Sequence, residues 1–153
     1  MNHILYLLLL LPGLFLFAVP PAQENKGDLR FEEVVVTKRK KKFLCVQYTI
    51  KNVGTEAIQL LGATNKMNDN LTVRAYLSGD KEFSRGDILL DGGYVSNKLI
   101  PGGKLLPGKT VSGELKVDLR LKTNYLNVLI FKLDDFKTIP EADEGNNTYP
   151  LIL

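Results

Sequence analysis

Two charged clusters are the places where this sequence has residues suited to chemistry. Near the end, Asp134, Asp135, Glu141, Asp143 and Glu144 fall within eleven residues, and Gly145, Asn146 and Asn147 follow at once. Carboxylates this close suit paired acid–base hydrolysis of a glycoside. Joined by the Asn carbonyls, they also supply oxygens for Ca²⁺, which takes about 6–8 of them. The Asp-x-Asp-x-Asp spacing that wraps a loop round calcium is missing, however, and Lys137, Ile139 and Pro140 favour packing. A structural turn is therefore the preferred reading and calcium the alternative, with Asn146 or Asn147 bonding the local backbone and launching a final strand over 148–153. The second cluster is Lys38, Arg39, Lys40, Lys41 and Lys42. Like charges repel and need water, so it reads first as a solvated hairpin tip, and second as a surface for an anionic membrane or envelope polymer. It lacks the interleaved aromatics and glycines of a nucleic-acid site, and no nucleic-acid partner is expected.

Other chemistry is removed by composition. The 153 residues include one His, at position 3, and one Cys, Cys45. Residues 1–22 carry no Lys, Arg, Asp or Glu, and a nearly continuous Leu/Phe run is followed by AVPPAQE. That pattern predicts a signal peptide cleaved after Ala22, a short linker over 23–28, and a secreted or periplasmic domain over 29–153. No integral membrane span remains after cleavage, because the run is short against a span of about 20 residues and holds Pro12. With His3 inside the signal, the mature chain has no Ser-His-Asp triad, Cys-His pair or His-based zinc site. A single Cys also allows no internal disulfide, so the core must hold by packing, and Cys45 reads as a packed small hydrophobe. A small carboxylate-dependent hydrolase is the enzymatic reading left. It is disfavoured because one sandwich leaves little room for a cleft and Trp is absent as a sugar platform. The expectation is no enzyme, no cofactor and no resident metal.

The elements that must position these clusters read as strands. Residues 29–37 form a first strand, with Glu32-Glu33 as a bulge. Over 43–52, Leu44, Val46, Tyr48 and Ile50 alternate with Cys45, Gln47, Thr49 and Lys51. Residues 55–70 read mainly as loop, 71–77 as a strand and 94–100 as a short strand. The cleanest alternation runs over 111–122, with Leu115, Val117, Leu119 and Leu121 on one face. Residues 125–133 are apolar on both faces. This suits a central strand whose second face is covered by a loop or by residues near Leu105; the sharper reading is a patch that meets a partner. About seven short strands without a helical period predict an all-β, immunoglobulin-like antiparallel sandwich.

Four short motifs occur in order along this frame. They are I-K-N-V-G at 50–54, L-S-x-D with D-x-L-L (Leu77, Ser78, Asp80, Asp87, Leu89, Leu90), the L-x-P-G-K turn ending at Lys109, and the acidic turn with its Asn pair before the last strand. Together they resemble CARDB, an immunoglobulin-like domain of bacterial and archaeal surface proteins, over 29–153. The resemblance implies cell adhesion and a non-enzymatic binding module acting through loops or a sheet edge. Its partner would be another protein or an envelope polymer. An accessory subunit of an envelope or secretion complex is the alternative. In an antiparallel sandwich the first and last turns fall at opposite ends, which places the basic cluster at one pole and 134–147 at the other, beside the loop 54–70. Weak, salt-sensitive head-to-tail self-association follows as an expectation.

Overall fold

The computed structural model describes residues 26–60, 71–95 and 100–153. The signal-peptide reading over 1–22, most of the 23–28 linker, and residues 61–70 and 96–99 lie outside the described residues. No helix among the described residues is long and apolar enough to cross a membrane.

Alternation builds the first sheet. β2 (Phe43–Asn52) buries Leu44, Val46, Tyr48 and Ile50, and keeps Cys45, Gln47, Thr49 and Lys51 on its other, wetter face. It lies between β1 (Leu29–Lys40) and β7 (Thr110–Asp118), all antiparallel. The second sheet runs in the order β5 (Ile88–Tyr94), β4 (Thr72–Ser78), β8 (Val128–Leu133), β9 (Thr148–Ile152), again antiparallel. Between β2 and β4 the short β3 (Ile58–Gln59) pairs with β6 (Lys104–Leu105). Seven longer strands in two sheets make an immunoglobulin-like sandwich. The fourth of the seven, β5, stays beside β4 instead of crossing to the β1–β2 sheet as in a constant-type domain.

Phe31 joins the layers. Its ring meets Tyr48, Phe131 and Tyr149 edge-on, at centroid separations of 6.4, 6.5 and 6.2 Å. Around it, Leu44, Val46 and Val117 of one sheet face Val73, Ala75, Leu77, Leu129 and Leu133 of the other, all fully buried.

Several strand expectations shift. The register of β1 slips between Phe31 and Glu33, which puts the bulge at Glu32, and slips again between Val36 and Lys38. The strand read over 111–122 ends at Asp118. Its carboxylate accepts the Arg120 amide at 2.9 Å and turns the chain, so Leu121 is 55% exposed instead of buried. Most of the strand expected over 94–100 falls on 96–99, outside the described residues; a strand that the sequence reading did not assign runs over 88–94, an edge strand whose Gly92 and Gly93 weaken its periodic signal. Cys45 is half-buried on the outer face of β2, opposite Lys38 and Lys116 in register, and not in the core; the inward positions of β2 belong to the larger apolar residues.

β8 is a central strand, and a loop covers its second face. Val128 and Ile130 are buried with Tyr76 and with Phe83 from the β4–β5 loop, whose ring meets Tyr76 at 4.9 Å. Leu105 has no part in this: it is buried in the main core beside the β3–β6 ladder.

Candidate functional site

The sequence motifs are joints of the fold. Asn52 is fully buried, and its side chain makes four hydrogen bonds. Nδ2 donates to the carbonyls of Glu56 (2.8 Å) and Leu105 (2.9 Å), and Oδ1 accepts from the amides of Gly54 (3.0 Å) and Asp28 (3.2 Å). Gly54 packs so tightly that a Cβ there would stand 2.4 Å from the Lys26 carbonyl. The Leu-x-Pro-Gly turn docks on the same strand end: the Gly108 amide donates to the Asn52 carbonyl at 2.8 Å, and Gly108 holds φ +72°. In the L-S-x-D and D-x-L-L motif Asp80 and Asp87 cap their own loop, accepting from the amides of Glu82 and Ser84 at 2.8 Å each.

The acidic segment is a fourth joint. Asp134 leaves β8 with φ +37°, is buried, and commits both oxygens: Oδ1 accepts from the Thr138 hydroxyl (2.8 Å) and Oδ2 from the Ile139 amide (2.7 Å). Glu141 is also buried, its Oε2 accepting from the Leu29 amide (2.6 Å) and its Oε1 from Asn147 Nδ2 (2.9 Å). Burial pushes its carboxyl up to about 7, against the pull of Asn147 and Leu29, and nearby Glu144 and Asp134 push the same way. Asn146 Nδ2 reaches both Asp28 oxygens at 3.0 and 3.1 Å. Both asparagines thus bond carboxylates and not the local backbone. The reason is that 134–147 closes against the start of β1, where carboxylates wait as acceptors.

Asp135 turns to the outer side of β4 and β8. It accepts from the Tyr76 hydroxyl (2.6 Å) and pairs with Arg74 (3.1 Å) and Lys132 (3.0 Å). Burial raises its carboxyl, but Tyr76, Lys132 and Arg74 override this and hold it below the usual carboxylate range. Asp143 accepts from the Gly145 amide (2.8 Å), and Glu144 lies 3.8 Å from Lys137. The five acids thus face different partners. No group of three or more His, Cys, Asp or Glu among the described residues converges as metal ligands would, so the segment does not fit a calcium cage.

The basic cluster has a different character. Lys38, Arg39 and Lys40 end β1, Lys41 and Lys42 form the turn, and all five are exposed. Since β1 pairs Leu29 with Asn52 and Lys40 with Phe43, the cluster and the Glu141 joint occupy opposite ends of the sandwich. The loops 79–87 and 119–127 reach the basic end as well, because Ser78 pairs with Val128 and Phe43 with Asp118. The hairpin brings five cations and 119–127 two, while 79–87 carries one net negative charge; six positive charges are left in excess.

Two depressions meet at this end. One, of about 290 Å³, is lined by Lys42, Phe43, Lys116, Asp118 and Arg120. The other, of about 370 Å³, is lined by Leu89, Leu90, Leu121 and the same Asp118 and Arg120. Asp118 and Arg120 are paired, Nε lying 2.7 Å from Oδ2, so the shared wall is charge-neutral. The trough runs from a cationic end to an apolar one. Sequence spacing could not show it, because its walls come from β2, β5 and β7 and from the turns that hold Lys42 and Arg120.

Three of the four edges of the two larger sheets, all but β7, are less open than the loops. β1 carries two bulges and ends in lysines, β9 holds Pro150, and β5 holds the glycine pair and a register shift opposite Ala75 and Tyr76. Each of these devices discourages a further strand.

No protein-family model matches the chain, and no curated protein matches it. Among solved structures it is similar to the CARDB domain of a Pyrococcus furiosus protein in solution, with 16% identity over 84% of this chain and 95% of that one and a TM-score of 0.47. A crystal structure of that domain in complex with di-metal ions gives 18% identity, 83% and 88% coverage and a TM-score of 0.43. The chain is also similar to part of β-glucosidase 3B from Thermotoga neapolitana, at 14% identity and a TM-score of 0.42; it covers 82% of its own length and spans 16% of the glucosidase. The family that the four sequence motifs resemble is thus among the folds to which this immunoglobulin-like sandwich is similar.

Proposed function

We propose that this domain is a non-enzymatic binding module of the secreted or periplasmic space, and that its basic pole is the binding surface. The observation that carries the reading is the contrast between the two poles. At the acidic pole, Asp134 and Glu141 are consumed by internal donors, and Asp28 and Asp143 also accept from their neighbours. At the basic pole five hairpin cations stand in solvent, and six positive charges remain in excess over three loops. Charge concentrated on one end of a small domain steers and holds an anionic macromolecule. The protected sheet edges favour loops over strand addition as the means of contact. Cell adhesion through an anionic envelope polymer falls within this reading.

The test is retention on immobilised dextran sulfate. The protein is expected to bind at low salt and elute earlier as salt rises. Changing Lys40→Gln and Lys41→Gln together should weaken retention clearly, since each cation near a polyanion contributes about 1 kcal/mol. Co-elution of this variant with the unaltered protein would remove the reading.

A further inference from the structure

Nine large hydrophobic side chains are exposed among the described residues, and five belong to the basic pole: Ile88, Leu89, Leu121, Tyr125 and Ile152. Tyr125 is 88% exposed and Ile152 60%. Their placement follows from the register, since Ile88 pairs with Leu77 and Ile152 with Val128, next to the loops 79–87 and 119–127. The Leu121 and Tyr125 loop is closed on itself, with the Lys122 amide on the Leu119 carbonyl (3.0 Å) and the Thr123 hydroxyl accepting from Leu126 (3.0 Å). Their exposure therefore belongs to a built turn. A soluble polyanion gains nothing from exposed Leu and Tyr. An anionic bilayer rewards both features: phosphate headgroups pair with Lys and Arg, while Leu and Tyr enter the interface below them. The trough has the same order, with Lys42 and Lys116 at one end and Leu89, Leu90 and Leu121 at the other.

We infer that the basic pole docks peripherally on an anionic membrane surface, with the Lys38–Lys42 hairpin over the headgroups and Leu121 and Tyr125 inserted between them. This rests on the proposed binding role of the same pole and names its partner. Anionic lipid is favoured over an anionic protein by positive charge spread over the hairpin and 119–127 with exposed apolar residues beside the cations, a broad and shallow pattern.

The experiment is co-sedimentation of the full chain with vesicles of phosphatidylcholine alone and with about one third phosphatidylglycerol. Residues 4–19 are themselves apolar, so binding to neutral vesicles sets the baseline, and only the gain from anionic lipid is read. That gain should be a hundredfold or more at low salt and fall as salt rises, at about 1 kcal/mol for each cation near the surface. Changing Lys40→Gln with Lys41→Gln should reduce it about thirtyfold. Changing Leu121→Ser with Tyr125→Ser, which keeps the charge of the pole, should reduce it at least about tenfold through the loss of apolar insertion, yet leave dextran-sulfate retention within about twofold. Both pairs are solvent-exposed, and an unchanged thermal midpoint confirms that each variant is folded. If the Ser pair binds anionic vesicles as well as the unaltered protein does while the Gln pair loses both ligands, the pole is a polyanion site and membrane docking is refuted. If neither pair changes vesicle binding, docking is refuted as well.

Discussion

Glu141 offers a sharp perturbation, because its two carboxylate oxygens hold the Leu29 amide at 2.6 Å and the Asn147 amide at 2.9 Å inside the fold. Its carboxyl rises from an ordinary 4.5 to about 7. The folded protein therefore binds a proton at this site more readily than the unfolded chain does between those two values. Stability falls as pH rises through that window and is level above it, the reverse of a salt-bridged carboxylate. At about 1.4 kcal/mol per pH unit, the cost of holding the charged form is on the order of 3 kcal/mol above pH 7. Glu141→Gln removes that charge and keeps an acceptor for Leu29. Its new amide faces Asn147, whose Oδ1 has no partner among the described residues and can rotate to accept it. The Gln variant should lie within about 1 kcal/mol of the original at pH 5, then overtake it by roughly 2–3 kcal/mol at pH 8. Glu141→Ala leaves two buried donors unpaired and should cost about 4 kcal/mol at pH 5. Urea melts of the three proteins at both pH values read these differences directly. A Gln variant whose deficit is the same at pH 5 and pH 8, or grows with pH, would refute a desolvated carboxylate.

Two further outcomes follow from the packing. Asp135→Ala strips Tyr76, Arg74 and Lys132 of their common acceptor and should cost about 2–3 kcal/mol in a urea melt. The loss should shrink in acid: the Asp135 carboxyl lies below its ordinary range, so its contribution is present at neutral pH and disappears as pH falls through the folded value. Gly113 sits opposite Tyr48 in register, and a Cβ there would lie 2.2 Å from the Tyr48 oxygen and 2.5 Å from Cζ. Gly113→Ala should displace that ring and lower stability by about 2 kcal/mol; an unchanged midpoint would show that the ring has room to move.

Much of the frame was legible because burial alternates wherever a strand has one wet face. β2 follows its pattern residue by residue, β4 buries Val73, Ala75 and Leu77 as expected but Thr72, Tyr76 and Ser78 on its other face as well, and the Lys41-Lys42 turn falls where charge repulsion puts a tip. The pattern misled past Leu119, which still packs partly buried against the core while Leu121 is exposed. Their alternation continues past the point where Asp118 turns the chain, and periodicity alone carries no stop signal when the capping residue is itself in phase. β5 was missed for the opposite reason, since an edge strand with a glycine pair and no fully buried residue has little period to read. The second apolar face of β8 was visible, but its cover was not. Phe83 reaches Tyr76 from a loop whose own sequence is mostly charged.

The motifs were legible for a further reason that bears on function. Asn52, Gly54, Gly108, Glu141 and Asn147 hold the strand ends together, and such joints tolerate few residue types because each buried polar atom must find its partner. What resembles a family in this sequence is therefore the carpentry of the fold. The exposed residues of the basic pole obey no such constraint. Their Lys, Arg, Leu and Tyr side chains are not required by any buried partner, and a solvated pole of six excess positive charges is unfavourable to the folded state unless something anionic meets it. The acidic joint, by contrast, neutralises its carboxylates internally through amides, hydroxyls and cations. The two clusters that were equivalent as strings of charge thus divide into an end whose carboxylates are tied up inside the fold and an end whose cations stand in solvent, and the division is set by which of them the fold can hydrogen-bond.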